Sequence, residues 1–447
     1  MRLSIAVLCS LCLVLAATST QGEEPKKTRE QKVREDREKV EKVGYWIYND
    51  LAKGFTVAKQ SGKPILVILR CLPCEECVKL DDELMDNDPE LRPLLDQFVR
   101  VRVVGTNGLD LSLFQFDTDQ SFTAFLLNAD GTIYGRFGTR SHRTDWVGDV
   151  SLAGMARALE GALELHKSYP ASKASLAAKR GPKPEFASPE QFPTLKEKYT
   201  SALNYSGNVV QSCIHCHQIG DAQRDLLRSK KEAIPEQVLF PYPHPKAIGL
   251  VLDPKERATV VEVTAGSPAA KSGLQMGDRI ETLAGQPLLS MADVQWVLHH
   301  TVAAGATIPA IVRRGDQTLP LELKLPAGWR QLDNIAWRSS SWGLRRMATG
   351  GFFSTEMTPE ERRDAGLPAI GMTLRIKHVG QYAPHDAAKQ AGLLKDDIVI
   401  EFDGRIDLIR ESDLLAYGVT KHFPGDKIKV KILRNGKPME LTLTIQQ

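Results

Sequence analysis

This sequence lacks a strong excess of charge of either sign. Its 58 lysines and arginines are nearly balanced by 55 aspartates and glutamates, so the formal net charge is only +3. A balance this close argues against a nucleic-acid-binding protein and against broad attraction to membranes, because both need a large basic surface. Hydrophobic residues make up 42% and charged residues 25% of the chain, as in ordinary globular proteins. The length of 447 residues suggests about three domains.

Long apolar runs are missing beyond the N-terminus. The run LSIAVLCSLCLVLAA follows Arg2, and small residues suitable for cleavage lie between Ser19 and Gly22. This order is typical of a secretory signal peptide; an anchor that is never cut is the alternative. We therefore expect residues 1–22 to be removed and the protein to be exported, to the periplasm or the extracellular space. No later run approaches roughly 20 apolar residues, so no integral membrane span is expected after cleavage.

Cysteine is scarce and unevenly placed. Seven cysteines occur, and two of them, Cys9 and Cys12, belong to the expected signal peptide. The other five form two tight clusters, whereas a disulfide framework would be even in number and spread through the chain. The clusters are CLPCEEC, with Cys71, Cys74 and Cys77, and SCIHCHQIG, with Cys213 and Cys216. Such clusters indicate redox or cofactor-binding sites rather than disulfides that only stabilise the fold.

Composition and hydrophobic periodicity divide the chain into seven parts. We expect a multidomain protein of α/β and α+β class, with an α/β domain, a short helical CxxCH segment and two similar domains that repeat one plan. The predicted boundaries are 1–22 for the signal peptide, 23–43 for a charged leader that is a solvated helix or disordered, 44–168 for the α/β domain, 169–187 for a linker, 188–245 for the CxxCH segment, and 246–327 and 328–447 for the repeated domains.

The α/β domain resembles a thioredoxin-like domain. KPILVILR predicts a buried strand, the first cysteine cluster follows it directly, and FTAFLLNADGTIYGRFG predicts a hairpin. The resemblance implies that Cys74 is the attacking thiol, with its pKa lowered at a helix N-terminus, and that Cys77 resolves the mixed disulfide. Cys71 could instead pair with Cys74. Two departures from the family are Pro73, in place of an aromatic residue, and Thr123, in place of the cis-proline.

The second cluster, CIHCH, matches the CxxCH motif of c-type haem attachment. In that motif, Cys213 and Cys216 would form thioethers to the haem, and His217 would be an axial ligand of the iron. Haem c is therefore the expected cofactor, with His244 or His215 as a candidate distal ligand. Zinc or another metal is an alternative cofactor, and a plain disulfide is the third interpretation.

The C-terminal part of the chain resembles two PDZ domains of the kind found in exported bacterial proteases. GSPAAKSGLQMGDRI and DAAKQAGLLKDDIV carry the resemblance, and each is followed by a helix and a terminal hairpin. PDZ domains bind a peptide as an added strand and hold its terminal carboxylate on a Gly-Leu loop. The resemblance implies a protein or peptide partner. The loop residues that it implies are Ile248, Gly249 and Leu250 in the first copy and Gly343 and Leu344 in the second.

The order of these parts resembles the bacterial exported thioredoxin-like/PDZ proteins, a family that includes selenoproteins. We expect no protease, because a Gly-x-Ser-Gly turn and a matching His/Asp set are missing from the sequence. The first functional hypothesis is an exported thiol–disulfide oxidoreductase that also carries haem and exchanges electrons with a partner. The second is a non-catalytic PDZ adaptor whose cysteine clusters are structural or bind metal.

Overall fold

The computed structural model describes residues 27–70, 88–140 and 149–446. The expected signal peptide and the cluster of Cys71, Cys74 and Cys77 lie outside these residues. Within the described ranges, no helix is both long enough and apolar enough to cross a membrane.

A five-stranded sheet forms the centre of the α/β domain, with strand order β1-β3-β2-β4-β5. The strands are β1 (Ile47–Tyr48), β2 (Ile65–Arg70), β3 (Val99–Val104), β4 (Gln120–Leu127) and β5 (Ile133–Arg140). β3 pairs in parallel with β1 and β2, whereas β4 pairs antiparallel with β2 and β5. The predicted buried strand and the predicted hairpin are both confirmed as β2 and β4–β5.

Helices cover both faces of this sheet. They are α1 (Arg29–Val43), α2 (Leu51–Ser61), α3 (Arg92–Leu95) and α4 (Leu152–Lys167). All six residues of β2 are buried, because successive side chains point to opposite faces and both faces are covered. Leu66 and Ile68 pack in the core that contains Met155 of α4, whereas Val67 packs in the core that contains Ala58 of α2.

The charged leader predicted for residues 23–43 is not a free segment where it is described. It forms α1, which buries Val33 and Val40, two turns apart on one face of the helix. Asp36 of the same helix lies 2.5 Å from the fully buried guanidinium of Arg70, at the end of β2. The helical interpretation of the leader is confirmed where the structure describes it, but one face of the helix is packed, because it carries both an apolar stripe and a partner for a buried arginine.

The predicted linker, residues 169–187, is also packed. It contains α5 (Lys173–Leu176), and Leu176 joins the core of the α/β domain. Lys179 is completely buried, and its Nζ lies 2.9 Å from Asp293 Oδ1 in the first repeated domain. The segment therefore joins the two domains through a buried ion pair rather than spanning between them as a flexible connection.

The CxxCH segment is built mainly of turns and two helices, α6 (Cys216–Ser229) and α7 (Glu236–Leu239). The first repeated domain follows it and contains a two-stranded sheet, β6-β7, and a four-stranded sheet of order β11-β10-β8-β9. Its elements are β6 (Leu250–Leu252), β7 (Val260–Val263), α8 (Pro268–Lys271), β8 (Arg279–Leu283), β9 (Gln286–Pro287), α9 (Met291–His299), β10 (Ala306–Arg314) and β11 (Gln317–Leu325).

The second repeated domain has one five-stranded sheet of order β12-β13-β14-β15-β16. Its elements are α10 (Ser341–Thr349), β12 (Phe352–Glu356), α11 (Pro359–Asp364), β13 (Leu374–Val379), α12 (Ala387–Gln390), β14 (Ile398–Phe402), α13 (Glu411–Lys421), β15 (Lys427–Arg434) and β16 (Lys437–Thr444). The helix and terminal hairpin predicted for each copy are therefore confirmed.

The two repeated domains share an equivalent ion pair between a buried aspartate and an arginine of the terminal hairpin. In each domain the aspartate lies in the turn directly before a strand, β8 in the first copy and β14 in the second. Asp278 lies 2.7 Å from Arg314 in the first copy, and Asp397 lies 2.7 Å from Arg434 in the second. Each arginine comes from the end of the first strand of the terminal hairpin. The repeated sequence pattern thus corresponds to a repeated contact between the turn and the hairpin.

Candidate functional site

The carboxyl end of the central strand β2 is the place to which the first cysteine cluster is attached. β2 ends at Arg70, which pairs with Val104 at the end of β3 and with Phe122 near the start of β4. Cys71 is the next residue in the sequence. The roles predicted for Cys71, Cys74 and Cys77 stay predictions, since these residues lie outside the described ranges.

The second cluster docks on the same edge of the sheet, directly beyond β3. The backbone N–H and the hydroxyl of Thr106 donate to Ile214 O at 3.0 and 2.9 Å, and Ile214 N–H donates to Asn107 Oδ1 at 2.9 Å. Cys213 packs on the backbone here, because a Cβ placed on Gly105 would lie 2.8 Å from Cys213 Sγ. The Cys213 sulfur is thus fixed at the end of the strand beside β2.

Helix α6 continues across the loop that precedes β4. A Cβ placed on Gly220 would lie 3.2 Å from Thr118 Oγ1, so the helix closely approaches this loop. Cys216, the first residue of α6, packs against the core formed by β2, β3 and their neighbours. The CxxCH segment therefore covers both sides of the point at which β2 ends, and it brings the second cluster to the sheet edge where the first cluster begins.

Burial sets the chemistry of the two described thiols. Both are free thiols, and Cys213 is 8% exposed. Burial raises the pKa of Cys213 to about 12. Burial also raises the pKa of Cys216 to about 12, and the nearby Cys213 adds to this effect. At neutral pH both groups are therefore protonated and poorly nucleophilic, unlike the thiols of an exposed redox centre.

This arrangement does not fit the expected haem. The cavity beside Cys213 is about 10 Å³, no more than a single water molecule needs, and Val33, Val104 and Leu203 are among the residues that line it. Cys216 is partly buried and packs against an apolar core on the other side. A porphyrin joined to both sulfurs would have to displace these side chains, so we derive no chemistry from a haem here.

The histidines of the motif are placed differently from the thiols. His217 is part-exposed, and its Nδ1 lies 3.2 Å from Asp221 Oδ2, one turn further along α6. The ring of His217 stacks on the ring of His215, with centroids 5.9 Å apart. The Nδ1 atom of His217 thus faces a carboxylate and leaves Nε2 on the other side of the ring, an arrangement that is common in metal-ligating histidines. The cysteines beside it, however, pack against the protein core.

The structure shows contacts of His244 within the protein, and its role as a distal ligand stays a prediction. His244 is buried, its Nδ1 accepts a hydrogen bond from Lys246 N–H at 3.1 Å, and its Nε2 lies 3.3 Å from Asp149 Oδ2. Both ring nitrogens are therefore engaged within the protein. For zinc, no group of three or more His, Cys, Asp or Glu side chains converges within the described residues.

The first repeated domain presents an open strand edge at β6. Thr264 N–H donates to Gly249 O at 2.9 Å, which makes these two residues a hydrogen-bonded pair across β6 and β7. Such pairs alternate along an antiparallel ladder, so the N–H and C=O of Leu250 point away from β7. A bulge follows, after which Asp253 N–H donates a backbone hydrogen bond across the strand pair. By the same alternation, the N–H and C=O of Leu252 also point away from β7. β6 can therefore accept an added strand.

The three residues predicted to hold a peptide carboxylate lie at the start of this edge. Ile248 is completely buried, and Leu250 is the first residue of β6. Gly249 has φ +77°, and a Cβ there would lie 2.2 Å from Ser267 Cβ, so only glycine fits. Their position agrees with a loop that precedes a binding strand, while the binding role itself stays a prediction.

The α/β domain borders β6 at both ends. Asp149 Oδ1 accepts a hydrogen bond from Lys246 Nζ at 3.0 Å, just before the strand. Ser151 Oγ donates to Pro254 O at 2.8 Å, just after the strand. These two contacts therefore connect the α/β domain to the segments on either side of β6.

The residues predicted for the second copy are misplaced. Gly343 and Leu344 lie within helix α10, and Leu344 is completely buried. The loop before the edge strand β12 is instead formed by Gly350 and Gly351, with φ +66° and +93°. The sequence signal for this loop is the pair of glycines in TGGFF, which directly precedes an apolar strand. The WGL sequence has the Gly-Leu pattern of a binding loop, but it belongs to a helix.

Comparisons with known proteins identify the domains. The family model described as thioredoxin-like matches residues 46–129, and the PDZ domain model matches residues 246–325 and 368–445. The chain thus contains a thioredoxin-like domain and two PDZ domains, the first and second repeated domains described above.

Curated relatives include periplasmic serine endoproteases, and each of those given below is matched over a limited part of its length. The periplasmic serine endoprotease DegQ of Escherichia coli is 31% identical over 149 residues, which are 33% of this chain and 29% of that protein. A DegP-like periplasmic serine endoprotease of Pseudomonas savastanoi pv. phaseolicola is 25% identical over 44% of this chain and 39% of that protein. The chain therefore spans about a third of the length of these relatives.

Similar solved structures include proteins of the same kind. The HtrA-type protease AlgW with a decapeptide is 17% identical, covering 31% of this chain and 55% of that one with a TM-score of 0.19. The HtrA3 PDZ domain bound to a phage-derived ligand is 16% identical, covering 21% of this chain and 80% of that one with a TM-score of 0.17.

Proposed function

Because this chain belongs to the proteins that join a thioredoxin-like domain to PDZ domains, we propose that it is an exported thiol–disulfide oxidoreductase that recognises a protein partner. In this proposal, Cys74 and Cys77 form the redox pair, and the first PDZ domain binds the partner as a strand added to β6. Export is supported by the signal-like N-terminus and by periplasmic relatives.

The observation that carries the proposal is that the first cluster directly follows the central strand β2 in the sequence. CLPCEEC follows the central strand β2 without an intervening residue, and a thioredoxin-like domain model matches across it. A thiol at the junction of a central strand with a following helix is stabilised as thiolate by the helix N-terminus. This position therefore favours Cys74 as the nucleophile.

The proposed reaction conserves electrons and protons. The Cys74 thiolate attacks one sulfur of a partner disulfide, so a mixed disulfide forms and one partner thiolate leaves. The Cys77 thiolate then attacks the Cys74 sulfur, which releases the second partner thiolate and leaves a Cys74–Cys77 disulfide. The partner gains two electrons and, once its thiolates are protonated, two protons. An exported dithiol reductant returns the pair to its reduced form.

The first PDZ domain would bind the protein partner and bring it to the thioredoxin-like domain. Its β6 edge has outward backbone groups at Leu250 and Leu252, which are the groups that an added peptide strand uses. A peptide antiparallel to β6 leaves the strand near Pro254, where Ser151 of the thioredoxin-like domain also makes contact. Recognition and redox chemistry would therefore involve adjacent surfaces.

Reduction of insulin disulfides by the mature chain, with dithiothreitol as electron source, tests this proposal. We expect Cys74→Ser to lose the rate above background, because no nucleophilic thiol starts the exchange. The double variant Cys213→Ser/Cys216→Ser is the control and should keep the rate, because Cys213 is buried, Cys216 is partly buried and both thiols are protonated at neutral pH. Full activity of Cys74→Ser would reject the redox assignment and favour the adaptor function.

The same preparations test the haem assignment. The protein is made in an exporting host that matures c-type cytochromes, and a pyridine haemochrome spectrum is recorded. We expect no covalent haem, since Cys213 and Cys216 are enclosed by apolar side chains. A c-type spectrum that disappears in Cys213→Ala/Cys216→Ala would show that the segment opens to bind haem and would make electron transfer to a partner the alternative function.

A further inference from the structure

The second PDZ domain differs from the first at its strand edge. Gly380 N–H donates to Gly351 O at 3.0 Å, so the next residue along β12, Phe352, turns its N–H and C=O away from β13. After a bulge, the backbone hydrogen bond that Met357 N–H donates across the strand pair shows which residues of β12 face β13. Counting back by alternate residues, the N–H and C=O of Ser354 point away from β13. Phe352 and Ser354 therefore carry the groups that a ligand strand would use.

Those outward groups already have partners in this domain. Thr349 Oγ1 lies 2.9 Å from Phe352 O and 2.8 Å from Arg345 O, so its single hydroxyl hydrogen is shared between these two acceptors. Ser354 N–H donates to Glu411 Oε1 at 2.9 Å. A bound peptide would make these two bonds with its own N–H and C=O. The side chains of Thr349 and Glu411 thus replace the ligand's backbone at both positions.

Helix α10 fills the space between β12 and α13. Leu344 and Met347 of α10 share a buried cluster with Leu415 and Val419 of α13. The two helices approach so closely that a Cβ on Gly418 would lie 2.5 Å from the Cβ of Ala348. The apolar face of α13 is therefore covered by the chain's own helix.

A buried ion pair fastens this helix to the groove. Arg345 of α10 and Glu411 at the start of α13 are each 3% exposed, and Arg345 Nη2 lies 2.6 Å from Glu411 Oε2. The second guanidinium bond, from Arg345 Nε to Glu411 Oε1, is 3.1 Å. This bidentate pair holds Glu411 in the position from which it accepts Ser354 N–H.

The opposite side of α10 is bound to the rest of the molecule. Arg346 Nη2 lies 3.0 Å from Asp225 Oδ1 of α6, and Leu344 shares its cluster with Phe240 of the CxxCH segment. Just before the helix, Ser340 N–H and hydroxyl donate to Asp119 at 2.9 and 2.8 Å. The occupant of the groove is thus anchored to the thioredoxin-like domain.

Within the part of the chain that the structure describes, the strand edge of the first PDZ domain has no such side-chain partners for its outward backbone groups. Among the residues that the structure describes, none forms a hydrogen bond with the outward backbone groups of Leu250 or Leu252. The first residue of its helix α9 is Met291, where the second domain has the carboxylate of Glu411.

We propose that residues 341–349 are a permanent internal ligand of the second PDZ domain. This domain uses its groove to hold the chain's own helix and so fixes itself to the thioredoxin-like domain and the CxxCH segment. External peptides then enter the first PDZ domain alone. The inference does not depend on the redox activity proposed above, because it concerns only the two strand edges.

Amide hydrogen exchange on the full mature chain, resolved to single residues by NMR, tests this proposal without any peptide. We expect the Ser354 amide to exchange about a hundredfold more slowly than the Leu252 amide, because only Ser354 N–H has a buried acceptor. Equal rates at the two outward amides would overturn the proposal, since the groove of the second domain would then be open in solution.

The variant Thr349→Val provides a second measurement that preserves size and packing. Loss of the hydroxyl bond to Phe352 O should speed exchange of the Ser354 amide by roughly fivefold, as α10 is released more often. Thr301→Val is the matched control, because its hydroxyl donates to Val297 O at 2.8 Å in the first domain. Unchanged exchange at Ser354 in Thr349→Val would contradict the role of α10 as a ligand.

Discussion

Enclosure by aliphatic side chains determines what the Cys213 thiol can do. Its sulfur lies against Gly105 and beside Val33 of α1, and almost no cavity volume remains next to it. An ionised thiolate would lose its hydration there, which is why burial raises its pKa. Cys213 and Cys216 therefore behave as core residues in the closed molecule, although their spacing is that of a reactive motif.

This enclosure predicts the pH dependence of thiol alkylation. In a Cys71→Ser/Cys74→Ser/Cys77→Ser background, iodoacetamide should react slowly with Cys213 and Cys216 at pH 7. The rate should rise about tenfold per pH unit until the protein nears pH 12, because the thiolate is the reacting form. The same protein in denaturant is the control and should reach its plateau near pH 9. Fast labelling of the folded protein at pH 7 would contradict the enclosed position.

The sign of the linked stability change follows from the same shift. The folded pKa of each thiol is raised from about 9 to about 12, so the unfolded chain ionises first. The contribution of these thiols to the free energy of unfolding is therefore full below pH 9 and is lost as the pH rises towards 12.

At the level of elements, periodic segments were predictable and packed polar segments were not. The buried strand β2 is predictable from its short continuous apolar run, the β4–β5 hairpin from its Asp-Gly turn between two strand-like segments, and helices α9 and α13 from the plan that the two copies share. Residues 169–187 were taken for a linker because lysine, serine and alanine dominate there. Their place in the fold depends on Asp293, a partner more than a hundred positions away that local composition does not indicate.

The same reasoning explains the error in the second PDZ domain. Gly343 and Leu344 match the short Gly-Leu pattern of a binding loop, but Leu344 is buried by contacts with α13 and with the CxxCH segment. Only the tertiary structure supplies those contacts. For the site, the sequence indicates the cysteine clusters and the β6 loop, whereas the position of the second cluster beside the end of β2 depends on the docking of residues 212–224.

The buried pair of Lys179 and Asp293 predicts how strongly the supposed linker holds the first PDZ domain. Lys179→Met should lower the free energy of unfolding by about 3 kcal/mol, because it leaves the Asp293 carboxylate buried without its cation. Two backbone N–H groups, from Leu289 and Arg136, continue to bond Asp293 and limit the loss.

Chemical denaturation at pH 7 measures this change, and the exposed pair of Lys324 and Glu322 supplies the control. Lys324→Met should alter stability by less than about 1 kcal/mol, because both side chains are solvated. Equal effects of the two substitutions would mean that residues 169–187 are not docked in solution.

At the level of the whole molecule, buried charges connect the domains. Arg338, which lies between the two PDZ domains, contacts Asp117 Oδ1 at 2.6 Å and Asp119 Oδ2 at 3.4 Å in the loop before β4. Burial by itself would raise the pKa of Asp119, but the charges of Arg338 and Arg224 lower it. The second PDZ domain is thus tied to the end of the sheet on which Cys213 docks, while the first PDZ domain places β6 beside the same domain.

The central claim is that Cys74 attacks partner disulfides from this sheet edge. The most direct measurement is intact mass and peptide mapping of the Cys77→Ser chain after incubation with insulin, because loss of the resolving thiol should trap the mixed disulfide. We predict one insulin molecule per protein molecule, attached at Cys74 with its A and B chains still joined by the remaining interchain disulfide, and no adduct with Cys74→Ser/Cys77→Ser. No adduct in Cys77→Ser, or attachment at Cys71 or Cys213 instead, would contradict the account.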